Sequence, residues 1–202
     1  VSDEQMEAVA DWADQYGFGE IRISHQQNFV LPDVAADKLF ELWQQAEAAQ
    51  LGACNAGLLT DIICCPGGDY CSLANAKSIP IAEAIQRRFD DYDYLHDLGP
   101  LDVNISGCMN ACGHHHVGNI GILGVDKKGQ EFYQISLGGH GGNGASIGQI
   151  IGPSVSRDEV PEVMARVLDA YVELRLEDES FLHCYRRVGI EPFKERIYAN
   201  AG

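Results

Sequence analysis

Residues 61–71 read DIICCPGGDYC, and residues 101–112 read LDVNISGCMNAC. Each stretch starts with a short apolar run typical of a buried strand and continues into a glycine-bearing loop that holds two cysteines. The pairs are Cys65-x5-Cys71 and Cys108-x3-Cys112, with 36 residues between them. Glycine loops of this kind let backbone amides converge on sulfur. The pattern therefore predicts that the two loops build one site from four thiolates.

Thiolates select either an iron–sulfur cluster or zinc. Structural zinc sites favour two to four residues between paired cysteines, whereas five separate Cys65 from Cys71. An iron–sulfur cluster is therefore favoured, with zinc as the rival. Four unrelated structural cysteines are the third alternative, but both pairs lie in glycine loops and not on periodic apolar faces.

The residues before these loops predict a small α+β lobe over 1–51. Ser2 and Gln5 form a capping-box pattern at the start of one helix. Two short strands follow, over 20–24 and 29–31. A second helix is expected to open at Pro32-Asp33 and to close at Gly52, with Leu39, Trp43, Ala46 and Gln50 on one face.

The residues that carry the loops predict a mixed α/β domain over 52–202. Strand patterns lie at 61–64 and 101–106, and residues 120–125 and 130–137 read as a β-hairpin. Pro80 suits the first turn of a helix, and Asp158 is the expected cap of a long helix that follows. The predicted fold class is α+β.

The composition excludes several functions. A net charge of −16 argues against nucleic-acid binding, and it would repel an anionic substrate unless another segment supplied cations. No run approaches the roughly 18 apolar residues of a membrane span. Seven cysteines, an odd number, predict a reduced cytoplasmic protein. The start, VSDE, has neither an initiator Met nor a signal segment, which predicts an internal part of a longer polypeptide.

The cysteine motifs in context resemble the signature of the sirohaem nitrite/sulfite reductase family. They read CCPGGDYCSLANAKSIPIAEAI from residue 64 and ISGCMNACGHHHVGNIGILG from residue 105. The segment IRISHQQNFVLPDV from residue 21 is similar to the family's ferredoxin-like repeat, and LGGHGG at 137–142 also fits. The resemblance covers nearly the whole chain from about Glu20, and it implies that the first lobe is ferredoxin-like.

In that family a [4Fe–4S] cluster is bound through C-x5-C and C-x3-C, and the last cysteine also bridges to the sirohaem iron. The resemblance therefore implies that Cys65, Cys71, Cys108 and Cys112 are the cluster ligands and that Cys112 is the bridge. It also implies that Asn110 lies against the sirohaem, for which a simple turn role is the alternative.

The same resemblance suggests that Gln27 and Asn28 bind the sirohaem edge, the alternative being strand-end residues that satisfy the backbone. Asn119 stands where the family usually has an acidic residue, so the resemblance implies an altered hydrogen-bonding role there. A cap of the strand into Ile120 and a hold on the cluster loop through the amide group are the two alternatives. Cys64 is an unusual neighbour of the implied ligand Cys65. The run His114–His116 is expected to lie in solvent or around the site, because consecutive side chains diverge and do not meet at one ion.

The implied function is the C-terminal half of a sulfite reductase that reduces sulfite to sulfide with six electrons. The motifs look closest to bacterial assimilatory sulfite reductase haemoproteins. The alternatives are reduction of nitrite to ammonia, or a non-catalytic electron-transfer module. The resemblance places the substrate-binding cations in the absent N-terminal half, so no catalytic residue is assigned here and the isolated chain is expected to be inactive. The electron donor would be ferredoxin or a flavoprotein.

Overall fold

The computed structural model describes residues 1–198, so the last four residues of the predicted second domain, 199–202, lie outside the description. The chain divides into two compact units, Val1–Ala56 and a larger unit that begins at Gly57. The domain boundary predicted between residues 51 and 52 stays a prediction.

The smaller unit contains two helices and a two-stranded antiparallel sheet. They are α1 (Asp3–Tyr16), β1 (Arg22–Ile23), β2 (Phe29–Val30) and α2 (Leu39–Ala48). α1 begins with the predicted capping box, in which the Gln5 N–H donates to Ser2 Oγ and the Ser2 N–H donates to Gln5 Oε1. The local sequence therefore fixes where this helix starts.

The prediction for α2 was wrong in its start and in part of its packed face. Asp33 has a φ of 60°, which is left-handed, and the helix starts six residues later than predicted, at Leu39. Leu39 and Trp43, expected on the packed face, are 53% and 41% exposed. Ala46 packs against the small core as predicted, and Leu42 packs there as well. The packed face therefore keeps Ala46 of the predicted positions and includes Leu42 in place of the exposed Leu39 and Trp43.

The larger unit is built on a six-stranded mixed sheet in the order β3-β4-β5-β6-β7, with β8 also paired to β6. The strands are β3 (Ile63–Cys64), β4 (Val103–Ser106), β5 (Ile120–Lys127), β6 (Gln130–Leu137), β7 (Gln149–Ile150) and β8 (Val155–Ser156). β3, β4 and β5 are parallel, and the remaining pairs are antiparallel. The predicted β5–β6 hairpin is confirmed, with Lys128 and Gly129 at positive φ in its two-residue turn.

Helices complete the core of the larger unit. They are α3 (Ile79–Arg88), α4 (Tyr92–Leu98), α5 (Val160–Leu174), α6 (Phe181–Val188) and α7 (Glu191–Tyr198). Residues of the helices and of the sheet form one hydrophobic cluster, including Leu168 of α5 and Ile105 of β4, both fully buried. The cap predicted at Asp158 was wrong. Ser156 and Glu159 form the capping box there, because a single turn of 3-10 helix precedes α5.

Within residues 1–198, no helix combines the length and the apolar character that a membrane crossing needs.

Candidate metal centre

The two cysteine loops leave the same edge of the sheet. β3 and β4 are adjacent and parallel, with Cys64 opposite Ile105. The Cys65 N–H continues the ladder by donating to the Ile105 carbonyl at 3.1 Å. The carboxyl ends of neighbouring parallel strands lie side by side, and each strand here runs into its cysteine loop within one or two residues. Strand pairing therefore brings together two segments that are far apart in sequence.

Cys65 lies in a polar niche formed by both loops. The thiol is buried, and its sulfur accepts a hydrogen bond from the Gly107 N–H at 3.1 Å. The Ser78 hydroxyl lies 3.4 Å from the same sulfur. Hydrogen bonds of this kind stabilise the charged form of a thiol. Cys65 is therefore placed to act as a thiolate ligand.

The preceding residue, Cys64, faces the other side of the strand and packs against the hydrophobic core. Burial, and to a lesser extent the charge of the neighbouring Cys65, raises the pKa of the Cys64 thiol to about 12. Since the thiolate is the form that binds metal, this environment disfavours Cys64 as a ligand. The geometry favours the register of the first loop in which Cys65 is the ligand.

The loops meet through backbone contacts that exclude side chains. The N–H groups of Asn75 and Ala76 donate to the Gly107 carbonyl at 2.9 and 3.0 Å. A Cβ atom added to Gly107 would lie 2.6 Å from the Ala76 carbonyl oxygen and 3.0 Å from the Gly67 Cα. Glycine at 107 is therefore required for the two loops to approach this closely.

The first loop is held by its own turn. The segment Gly67–Asp69 forms a short 3-10 turn, and the Cys71 N–H donates to the Gly67 carbonyl at 2.9 Å. Lys77 Nζ lies 2.6 Å from Asp69 Oδ1, and this ion pair connects the segment that follows Cys71 to the 3-10 turn. Cys71 is half-buried at the end of this turn.

The second loop carries one buried and one exposed cysteine. Cys108 is buried, whereas Cys112 is exposed. Ala111 between them has a φ of 56°, and the Gly113 N–H donates to Ser106 Oγ at 3.1 Å. This tight turn returns the chain to β4 and leaves the Cys112 thiol at the surface, open to a second group.

The other predicted residues are placed differently. Asn110 and Met109 are exposed beside Cys112. Gln27 and Asn28 are exposed in the turn between β1 and β2 of the smaller unit, where the Gln27 N–H donates to the Ser24 carbonyl. Their roles toward a sirohaem stay predictions.

The rings of the histidine run next to the second loop contact one another and do not diverge as predicted. His115 and His116 have ring centroids 5.4 Å apart and almost perpendicular planes, and His114 lies 6.4 Å from His116. Burial lowers the pKa of His115, whose Nδ1 is buried without a hydrogen-bond partner among the described residues.

The donor set fits a cluster in its chemistry. All seven cysteines are free thiols, and the four predicted ligands lie in the two adjoining loops. In residues 1–198, no three His, Cys, Asp or Glu side chains converge where a single metal ion could be bound. A four-iron cluster does not require such convergence, because its thiolates bind separate iron atoms.

Sequence reasoning missed Ser78 and the Gly107 amide as contacts of Cys65. The one local signal for Ser78, a serine shortly before Pro80, indicates a helix cap and not a cysteine contact. No signal within either loop pairs Gly107 with Cys65, because that contact depends on the pairing of β3 with β4.

Comparison with protein families gives two matches. Residues 56–202 match the nitrite and sulphite reductase 4Fe-4S domain, and residues 1–49 match the nitrite/sulfite reductase ferredoxin-like half domain. Together they span both units of the chain and agree with the family resemblance predicted from the cysteine motifs.

The individual relatives include both sulfite reductases and nitrite reductases. The chain is 32% identical to "Sulfite reductase [ferredoxin] 2" of Mycolicibacterium paratuberculosis, over 86% of this chain and 33% of that protein. It is 30% identical to "Ferredoxin--nitrite reductase" of Synechococcus elongatus, over 82% of this chain and 33% of that protein. The chain therefore spans about a third of the length of these curated relatives.

Solved structures confirm the α+β fold class. The NirA protein of Mycobacterium tuberculosis superposes with a TM-score of 0.80 at 27% identity, covering 96% of this chain and 37% of that one. A dissimilatory sulfite reductase I also superposes with a TM-score of 0.80, at 14% identity, and shares the fold.

Proposed function

The chain belongs to the nitrite and sulphite reductase family, and we propose that it is the C-terminal part of a sirohaem-dependent sulfite reductase. In this proposal Cys65, Cys71, Cys108 and Cys112 hold a [4Fe–4S] cluster. One observation supports it above the others. The two cysteine loops lie side by side at the carboxyl ends of β3 and β4, and the Gly107 N–H of the second loop donates a hydrogen bond to the Cys65 sulfur of the first.

The chain's own residues would position the cofactors. When bound, the cluster and the sirohaem would supply the one-electron steps of a six-electron reduction. The Gly107 N–H stabilises the charge on Cys65, and the turn at Gly67–Asp69 sets Cys71. Cys112, exposed beside Asn110, would be the thiolate shared with the sirohaem iron.

The proposed substrate is sulfite, which would be reduced to sulfide. The motifs from Cys64 and Ile105 look closest to bacterial assimilatory sulfite reductase haemoproteins. Reduction of nitrite to ammonia is the second candidate, since the relatives include reductases of both anions. With a net charge of −16, this chain is a poor source of anion-binding cations, and we assign that role to an N-terminal half.

Ferredoxin is the proposed electron donor, because several relatives are named as ferredoxin-dependent, and a flavoprotein is the alternative. The proposed compartment is the cytoplasm, since seven free thiols suit a reducing environment.

The test is an assay of the full-length protein that contains this chain. We expect five iron atoms, four from the cluster and one from the sirohaem, together with the intense visible bands of sirohaem and faster reduction of sulfite than of nitrite by reduced ferredoxin. Faster reduction of nitrite would favour the second candidate. Iron without sirohaem bands would indicate an electron-transfer module, and bound zinc would contradict the proposal.

A further inference from the structure

Ser78 stands directly before α3, where a serine side chain usually accepts a hydrogen bond from the second or third amide of the helix. Its hydroxyl makes no such bond. Pro80, at the second position, has no N–H, and the Ile81 N–H donates to the backbone carbonyl of Ser78 at 3.1 Å. The Ser78 hydroxyl is therefore available to a group outside the helix.

That group is the Cys65 sulfur, 3.4 Å from Ser78 Oγ. Ser78 has no exposed surface, and the surrounding backbone closes the niche. Cβ atoms added to Gly67 and Gly107 would lie 2.7 and 2.9 Å from Ser78 Oγ. The Tyr133 hydroxyl donates to the Lys77 carbonyl at 2.8 Å and fixes the backbone next to Ser78. The contact is therefore held from several sides.

The chemistry sets the direction of the bond. A thiolate carries no proton, so once Cys65 binds iron the Ser78 hydroxyl must be the donor. Cys65 would then receive two donors, the Ser78 hydroxyl and the Gly107 N–H. Reduction adds negative charge to a cluster and its thiolates, so hydrogen-bond donors stabilise the reduced form more than the oxidised form.

We propose that Ser78 is a positioning residue that donates a hydrogen bond to the Cys65 thiolate and raises the reduction potential of the cluster. This inference rests on the proposed four-cysteine cluster. It assigns the hydroxyl to control of electron transfer and not to capping of α3.

The experiment compares the chain, with its cluster reconstituted from iron and sulfide, with its Ser78→Ala and Ser78→Thr variants. Iron and sulfide contents are measured first, and then the midpoint potential by a redox titration followed by electron paramagnetic resonance. We expect Ser78→Ala to keep its iron and to shift the midpoint to a more negative potential. Ser78→Thr keeps a hydroxyl and should restore most of the shift. Ser136→Ala is the matched control, because this buried serine contacts the Gly121 carbonyl and not a cysteine.

An unchanged potential in Ser78→Ala with full iron content would overturn the role of the hydroxyl while leaving the cluster proposal intact. If Ser78→Ala loses iron, the Ser78→Thr variant distinguishes a hydrogen-bonding role of the hydroxyl from a space-filling role of the side chain. Retention of iron at the original potential supports the hydroxyl as donor, whereas loss in both variants shows that the side chain only fills space. If the unmodified chain takes up no cluster, both the four-cysteine cluster and the role of Ser78 are overturned. The iron and sulfide analysis of the unmodified chain shows this before the variants are measured.

Discussion

At the residue scale, the adjacent thiols of Cys64 and Cys65 have opposite environments. Cys64 packs against the core, and burial raises its pKa to about 12. Cys65 accepts the Gly107 N–H in a niche formed by both loops. Successive side chains of a strand point to opposite faces, so only one of the two can face the site. The pairing of β3 with β4 determines that it is Cys65.

This difference predicts the result of replacing each cysteine by alanine. Loss of a ligand leaves an iron atom open to water, so the four-iron content should fall in the ligand variants. The variants expected to lose it are Cys65→Ala, Cys71→Ala, Cys108→Ala and Cys112→Ala. The variants expected to keep it, at a cost of about 1 kcal/mol or less for the small cavity, are Cys54→Ala, Cys64→Ala and Cys184→Ala. Iron and sulfide analysis with Mössbauer spectra measures the outcome.

Two results would contradict this assignment. If Cys64→Ala loses iron while Cys65→Ala retains it, the register of the first loop is shifted by one residue. If all seven variants keep their iron, the cluster is not bound by these thiols. In the full-length protein, Cys112→Ala should also abolish the magnetic coupling between cluster and sirohaem, because this residue is the proposed bridge.

At the element scale, the Asn119 side chain hydrogen-bonds to two segments that are distant from each other in sequence. Its Oδ1 accepts the Asp102 N–H at 3.1 Å, and its Nδ2 donates to the Gly139 carbonyl at 2.9 Å. The side chain is buried. Asn119 therefore joins the segment leading into β4 to the glycine-rich segment that follows β6, which goes beyond a cap of the strand.

Asn119→Asp should accordingly destabilise the fold. An ionised carboxylate cannot donate to the Gly139 carbonyl and would place a negative charge against it. We expect a loss of about 1–3 kcal/mol in the free energy of unfolding, measured by urea denaturation. Asn143→Asp, at an exposed position of the same glycine-rich segment, is the control and should change stability little. Equal stabilities of the two variants would contradict the role of the Nδ2 bond.

The connection between α5 and α6 depends on a charged pair. Arg187 contacts both carboxylate oxygens of Glu179, at 2.8 and 2.5 Å. The Arg187 hydrogen bonds, followed by that of the Leu176 N–H, lower the pKa of Glu179 from 4.5 to about 2. A lowered pKa in the folded state means that this carboxylate stabilises the fold above its unfolded pKa and loses that effect as pH falls toward 2.

Glu179→Gln tests this pH dependence. The variant should be less stable than the unmodified chain at pH 7, and the difference should shrink as pH falls from about 4.5 to about 2. Urea denaturation across that range measures it, with the exposed Glu177→Gln as control. A stability difference that stays constant with pH would show that the Glu179 charge is not responsible.

At the scale of the whole molecule, charge limits what this chain can bind alone. It has 30 acidic and 14 basic residues. Among the described residues, nine lysines and arginines already pair with the chain's own carboxylates. Few cations are left for the carboxylates of a sirohaem or for an anionic substrate.

We therefore expect the isolated chain to take up sirohaem weakly, and the full-length protein that contains it to take it up tightly. Visible absorbance after reconstitution and gel filtration measures the bound fraction in each. Comparable acid-labile sulfide content, which comes from the cluster and not from sirohaem, is the control for correct folding of the two samples. Tight, stoichiometric uptake by the isolated chain would show that its own residues complete the pocket.

The sequence alone determined the features that depend on local patterns. The capping box at Ser2, the hairpin turn at Lys128-Gly129 and the cysteine spacings each use residues a few positions apart, whose chemistry fixes the backbone between them. The four proposed ligands and the family followed from those spacings in context.

Only the tertiary structure decided which side chains face which partners. It placed Leu42 on the packed face of α2 in place of Leu39, gave Asn119 two partners and brought the Ser78 hydroxyl to Cys65. These contacts join residues 13 or more positions apart. The orientation of each side chain depends on the register of distant strands and on the packing of whole elements, and a local pattern does not encode either.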